Sequence, residues 1–323
     1  MSSVLLEPPY PDARRGPKPL TEGVQSRGVL LALWCFVTIP FLALLAAVPV
    51  AWGGWLGWTD IALAVVWYVM AGLGVTAGFH RHFTHGSFKA RRWLRISLAV
   101  AGSFAIQGSI VQWVADHRRH HAFSDVEGDP HSPWRFGSSV WGLTKGLFHA
   151  HVGWMFNREI TNRARFAPDL LADRDIRRVD RLFPLMVAIS LLAPAAAGGL
   201  VTWSWQGALT AFFWAGLVRV SLLHHVTWAI NSVCHVYGER PFEVRQGDKA
   251  ANFWPLALLS FGESWHNLHH ADPTCARHGV LRGQIDITAR VIWLFEKVGA
   301  AYAVRWPKPE RISAKLIKPT PTR

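Results

Sequence analysis

Eight histidines fall into three short clusters whose spacing could assemble metal sites. His80 and His85 stand five apart, as HxxxxH. His117, His120 and His121 read HxxHH, and His266, His269 and His270 repeat that pattern far along the chain. A neutral imidazole offers a nitrogen lone pair to iron, copper, nickel or zinc. Eight of them exceed one tetrahedral site and suit a pair of ions. On a helix, positions i, i+3 and i+4 share a face, so each HxxHH segment is expected to aim its rings at a common centre. A spacing of five turns roughly 140° on an ideal α-helix, so either the helix ends or bends between His80 and His85 or the two serve from different directions. Gly86 is well placed to terminate it. A lone histidine near a helix end is ordinarily a satisfied polar residue. Three clusters resist that explanation, because unpaired buried imidazoles cost free energy. Zinc would need only about four ligands. Many imidazoles without carboxylates suit two redox metals, and iron fits oxygen chemistry.

The elements that must position these clusters are apolar helices. Half of the 323 residues are hydrophobic and 17% are charged, with 18 Trp, 18 Phe and a net charge of +13. In a soluble protein that balance would suggest nucleic acid. Here the long apolar runs point instead to basic loops beside an anionic leaflet, so no nucleic-acid partner is expected. Four membrane spans are expected, at about 29–52, 58–79, 182–201 and 207–230. The short links 53–57 and 202–206 make each pair a helical hairpin. Residues 1–28, 80–181 and 232–323 hold 33 of the 34 Lys and Arg, the last being Arg219, and the two short links hold none. By the positive-inside rule both termini and the middle segment are cytoplasmic, which puts every histidine cluster on that side. Such a placement argues against a transporter, whose ligands belong near the midplane.

The stretch 94–114 is expected to be a re-entrant or interfacial helical hairpin rather than a span. Crossing there would separate the first two clusters, and Arg118 and Arg119 follow directly. Residues 157–181, dense in Arg and Asp, are expected to lie along the surface, and the basic tail 306–323 to be loosely held there. No signal peptide is read at the N-terminus. Three cysteines without short spacing give no disulfide framework.

The motifs around the clusters narrow the reading. The third cluster reads Gly262-Glu-Ser-Trp-His266-Asn-Leu-His269-His270, a GExxHNxHH box. The fourth apolar run is followed by Asn231-Ser-Val-Cys-His235-Val-Tyr-Gly238, an NSxxHxYG motif. Asp129-Pro-His131 follows the second cluster, and HVGW stands at 151–154. From about residue 30 to 300 the chain resembles the membrane fatty acid desaturases, most closely the acyl-CoA Δ9 (stearoyl-CoA) type. The resemblance implies an all-α integral membrane protein whose cytoplasmic helical cap carries a di-iron site. Residues 1–28 would be an N-terminal segment, 29–305 the desaturase domain and 306–323 a tail. Nine histidines would ligate the irons: His80, His85, His117, His120, His121, His235, His266, His269 and His270. Asn231 would approach one iron through a water. Asp116, Asp125 and Glu263 are candidates to take the outer N–H of a ligating ring. Structural roles are expected for His82, His131, His149, His151, His224, His225 and His278, and a packed thiol for Cys234.

The resemblance further implies O2-dependent removal of two hydrogens from an unactivated methylene pair of a long-chain acyl-CoA, oxygen leaving as water. Gln107, Trp113, Thr227 and Trp228 would line the acyl tunnel, its closed end near Ala64 and Tyr68. Arg158 matches a CoA-contacting basic position. Glu159 and Ala115 stand where that type has basic residues, which keeps phospholipid and acyl-carrier thioesters open as substrates. The chain carries neither an HPGG segment nor a ferredoxin cysteine pattern. An external donor is therefore implied, an NAD(P)H-dependent reductase with a ferredoxin or cytochrome b5-like carrier. Membrane lipids are the remaining expected partners. Two rivals remain: a di-iron hydroxylase or alkane mono-oxygenase, and a histidine-rich metal carrier or sensor.

Overall fold

The computed structural model describes residues 18–317. Among the described residues four helices are long and apolar enough to cross a membrane: α1 (Arg27–Trp52), α2 (Trp58–Thr84), α9 (Phe183–Thr202) and α10 (Trp205–His235). Between the second and third lie α3 (Arg92–Ser103), α4 (Ile110–Phe123), α5 (Val140–His151) and three short helices, α6 (Arg163–Phe166), α7 (Pro168–Ala172) and α8 (Arg174–Arg181). After α10 come α11 (His266–Ala271), α12 (Ile287–Lys297) and α13 (Pro309–Ser313). Strand content is slight: β1 (Thr21–Val24) pairs antiparallel with β3 (Glu159–Thr161), and β2 (Lys89–Ala90) with β4 (Ala301–Tyr302).

Polar groups inside the apolar helices are satisfied, as lipid surroundings require. Asp60 accepts the Gly57 N–H at 2.9 Å and the Thr210 hydroxyl at 2.9 Å, which caps α2 and ties it to α10. Arg219 is buried within α10 and donates to the carbonyls of Ala215, Phe104 and Ser190. The ring Nε2 of His224 lies 2.9 Å from the Ala105 carbonyl. The open carbonyls at the end of α3 are thus bonded by α10, which fixes where α3 stops.

The stretch 94–114 is two helices joined by a turn at 104–109, the hairpin expected from the sequence. It seats deeply because two glycines meet. A Cβ on Gly74 of α2 would lie 2.1 Å from the Gly102 nitrogen of α3, and one on Gly102 would lie 2.5 Å from the Phe79 ring. Phe79, Leu94, Leu98, Val111 and Val114 pack around that crossing as the main core.

Of two expectations about the ends of elements, one holds and one needs correction. Helix α2 ends at Thr84, between His80 and His85, and it does so through widened turns. Residues 74–84 widen to i→i+5 hydrogen bonding, and the His85 N–H bonds the His80 carbonyl at 3.2 Å. Wider turns return a residue five positions on towards the same face, and the ring centroids of His80 and His85 lie 4.9 Å apart. Gly86, at φ +59°, then closes the helix as expected. The tail is not loose over 306–317. Trp306 Nε1 donates to Glu296 at 2.8 Å, the Glu243 N–H to the Lys315 carbonyl at 2.8 Å, and the Ile317 N–H to the Pro241 carbonyl at 2.9 Å. The expected segments 1–17 and 318–323 lie outside the described residues.

Candidate metal centre

The widened end of α2, helix α4, the end of α10 and helix α11 bring the nine predicted histidines into two adjoining groups. One holds His80, His85, His117, His121 and His269; the other holds His120, His235, His266 and His270. Within each group the ligand atoms lie within 4.8 Å of one another. The HxxHH segments therefore do not each serve one centre. His117 and His121, an i, i+4 pair, share a group while His120 joins the other. His266 and His270 pair likewise, and His269 crosses over. Consecutive helical residues project about 100° apart, so neighbours such as His120 and His121 diverge.

The approach of ring nitrogens suits metal ions. His80 and His269 Nε2 lie 3.0 Å apart, and His121 Nε2 lies 2.9 Å from that of His269 and 3.2 Å from that of His117. In the second group His266 Nε2 is 3.1 Å from His235 Nε2 and 3.0 Å from His270 Nε2. Two nitrogens about 2.0–2.1 Å from one metal, at right angles, stand about 2.9 Å apart. His85 and His120 add Nε2 atoms that are buried without a protein partner. Burial also holds the rings neutral: His85, His117, His121, His266, His269 and His270 all have pKa values well below the ordinary histidine value, burial being the largest cause.

Carboxylates on the outer side fix which nitrogen faces inward. Asp125 sits 2.7 Å from His235 Nδ1, Asp248 2.7 Å from His270 Nδ1, and Asp129 3.0 Å from His120 Nδ1. Glu263 contacts His80 Nδ1 and takes Arg81 Nη2 at 2.8 Å. Each ring that donates Nδ1–H outward presents a bare Nε2 lone pair to its group. Burial alone would raise the carboxyl pKa values. The His120 ring on Asp129, the His235 ring on Asp125, and the Arg81 charge followed by the His80 ring on Glu263 outweigh it, so all three stay ionised.

Asp125 and Glu263 thus stand where the sequence put them. Asp116 does not: it accepts Gln112 Nε2 at 3.1 Å beside Arg119 and Thr161, away from the rings, and burial pushes its pKa up to about 6. Asp129 and Asp248 were missed. The DPH motif marked the first, and no spacing marks the second, which arrives from a distant loop. Cys234 is buried and belongs to neither group. Of the histidines given structural roles, His82 bonds the Phe88 carbonyl, His149 that of Pro130, and His151 both Ser232 and His225. His131 stacks on His120, with centroids 4.3 Å apart.

A narrow apolar cavity of about 50 Å³ runs between α2 and α10 to the rings of His80, His117 and His266. Gly72, Val75, Leu223, Val226 and Phe261 line its far part, and Trp113, Thr227 and Asn231 its part near the histidines. Gln107 reaches it through Thr227, donating to its hydroxyl at 3.0 Å. Trp228 is not among the lining residues. It lies next to Thr227 on the helix, hence about 100° away, and packs on His224, His225 and His151. Tyr68 donates to the Leu259 carbonyl at 2.8 Å and packs on Phe261, both cavity residues. Arg158 is exposed, and its carbonyl accepts the Gln25 N–H.

Comparison with known proteins agrees with this geometry. The family model for fatty acid desaturases matches residues 57–282. A hex-5-enoyl-[acyl-carrier protein] acetylenase of Moorena producens (strain JHB) is 36% identical over 92% of this chain and 91% of its own length. Delta-9 acyl-lipid desaturase 1 of Arabidopsis thaliana is 35% identical over 77% of this chain and 76% of that protein. The sn-1 stearoyl-lipid 9-desaturase of Anabaena variabilis is 33% identical over 77% of this chain and 85% of that protein. On these grounds the chain belongs to the fatty acid desaturase family.

Proposed function

We propose that this protein introduces a cis-Δ9 double bond into a long-chain acyl group, using O2 and two irons held by the nine histidines. The observation that supports it most is the pair of inward-facing histidine groups at the end of an apolar cavity. His80, His85, His117, His121 and His269 would hold one iron. His120, His235, His266 and His270 would hold the other, with Asn231 acting through a water. The irons supply the oxidising power that no side chain has. The chain's own part is positioning. Val75, Leu223, Val226 and Phe261 exclude water and hold the acyl chain, while Trp113 and Thr227, braced by Gln107, set its depth against the rings. Asp125, Asp129, Asp248 and Glu263 keep the ring tautomers fixed.

The domain and topology follow the charge pattern. Residues 29–305 form the desaturase domain, flanked by the 1–28 segment and the 306–323 tail. The four spans pair as two hairpins, and the histidines sit in a cytoplasmic cap with both termini on that side. Electrons come from an external reductase through a small acidic carrier, which the net positive charge favours.

For the acyl carrier we favour a membrane glycerolipid, because relatives named as acyl-lipid and stearoyl-lipid desaturases match most of the chain. Acyl-CoA is the second reading, and the exposed cation of Arg158 favours it. Membranes containing the protein, supplied with reductant and a ferredoxin or cytochrome b5 system, separate the two. Deuterated stearoyl chains are presented as phosphatidylglycerol, as CoA or as acyl-carrier thioester. Desaturated product on the lipid, without release and re-esterification, supports the first reading. Product formed only on CoA overturns it.

A further inference from the structure

His278 is a buried imidazole that the proposed reaction leaves unused. It is 1% exposed, and neither ring nitrogen has a hydrogen-bond partner among the described residues, a costly arrangement. Its main chain is fixed, since its N–H donates to Asp286 Oδ2 at 2.7 Å. Asp286 is held in turn by Arg81, by the Gly279 N–H and by the Ala289 N–H at the start of α12. The ring is thereby pressed against the first histidine group, with its centroid 4.5 Å from that of His269 and 5.6 Å from that of His80.

The nearest acceptor is Glu263. Its Oε1 is occupied by Arg81 through Nε at 3.0 Å and Nη2 at 2.8 Å. Its Oε2 touches His80 Nδ1 and lies 3.6 Å from His278 Nδ1. We propose that His278 is a positioning residue that faces Glu263 Oε2 beside His80, and so sets how strongly that carboxylate polarises His80. This rests on the reading of His80 as an iron ligand. At 3.6 Å the His278 ring is beyond hydrogen-bond reach of Oε2, but an Nδ1–H dipole turned toward that oxygen still draws on its charge and leaves less of it for His80. Remove the His278 donor and Glu263 draws harder on the His80 N–H. The His80 Nε2 becomes a better electron donor, and the ferric state of an iron it holds is favoured. A metal ion among His80, Glu263 and His278 is the competing explanation. The Arg81 guanidinium, within 3.0 Å of both Glu263 and Asp286, places a positive charge against that spot and disfavours it.

The test uses the full chain in detergent, loaded anaerobically with ferrous iron. Iron per chain is measured first, and the midpoint potential is then followed by Mössbauer spectroscopy. His278→Leu removes the donor, and His278→Gln keeps an N–H. Should leucine fail to pack, the flexible His278→Met carries the same test. The expected result is two irons in every form, with the ferric-to-ferrous ratio at fixed potential raised about tenfold in the leucine variant, or about 59 mV for one electron. Glutamine should restore most of the difference. Two irons with an unmoved potential, or equal shifts in Leu and Gln, would overturn the role of His278 alone. A third iron lost on substitution would overturn it in favour of a metal site. A wild-type chain that binds no iron would overturn it together with the di-iron reading.

Discussion

His235 Nδ1 meets Asp125 Oδ2 at 2.7 Å, and Asp125 itself holds a left-handed backbone, φ +58°. Aspartate tolerates that conformation better than most residues. The conformation lets one carboxylate serve His235, the Ser132 hydroxyl at 2.8 Å and the Lys249 N–H at 2.9 Å. Asp125→Asn would leave the size of the side chain but weaken its hold on the His235 tautomer. Metal affinity of the second histidine group should fall about 10–100-fold, while the first group keeps its ion. Iron or cobalt titration with elemental analysis checks this. Two ions bound with unchanged affinity would contradict it.

The metal-free protein should lose stability as pH falls from 8 to 5.5. Six of the clustered histidines have folded pKa values well below the ordinary value of about 6.5, chiefly through burial. Below about pH 6.5 the unfolded chain binds protons that the folded one refuses, so stability drops with pH. Asp116 works in the opposite direction. Its folded pKa is about 6, so it takes a proton on the way down, but the lowered histidines outnumber such groups. The depressed carboxylates Asp125, Asp129 and Glu263 lose their contribution only below about pH 4. Thermal unfolding in detergent across that pH range is the measurement, and a flat or rising Tm on acidification would refute the argument.

Most of the site was legible in the sequence because histidine spacing survives without any knowledge of packing. His80, His85 and the two HxxHH segments are conspicuous as strings. Their division into groups of five and four was not, since it depends on where each helix lies relative to its neighbours. The widened turns of α2 were also hidden: nothing in residues 74–84 announces i→i+5 bonding, so the end of the helix before His85 was legible but not the way its last turns bring His80 and His85 together. Asp248 reaches His270 from a loop 22 residues away, a closure set by tertiary structure. Trp228 was misplaced by judging proximity in sequence rather than direction around the helix, whereas its neighbour Thr227 does line the cavity. The four long helices followed from apolar length alone.

The crossing of α2 and α3 should tolerate no side chain. Gly74→Ala would drive a methyl to 2.1 Å from the Gly102 backbone, where neither chain can yield cheaply. Destabilisation of at least about 1–3 kcal/mol is expected, with loss of iron at the first group, because Gly74 opens the widened stretch that carries His80. Gly28→Ala in α1, with no neighbour nearer than 3.9 Å, should be close to neutral. Comparable unfolding temperatures for the two variants would count against the crossing as the constraint.

Chain-length preference should respond to Tyr68. Its hydroxyl holds the Leu259 carbonyl and its ring backs Phe261 at the far end of the cavity. Tyr68→Ala should lengthen the space and shift products towards longer monoenes, read as the ratio of desaturated C18 and C20 chains. An unchanged product profile from well-expressed protein would remove Tyr68 from that role.

The most direct test is the fatty acid profile of a desaturase-deficient host expressing this chain with a compatible reductase and carrier. Double-bond position is read by gas chromatography–mass spectrometry, and His120→Ala serves as the control. A new cis-9 monoene, absent with the variant, is expected. A hydroxy acid or alcohol in its place, or no new product from protein that holds two irons and receives electrons, would contradict it.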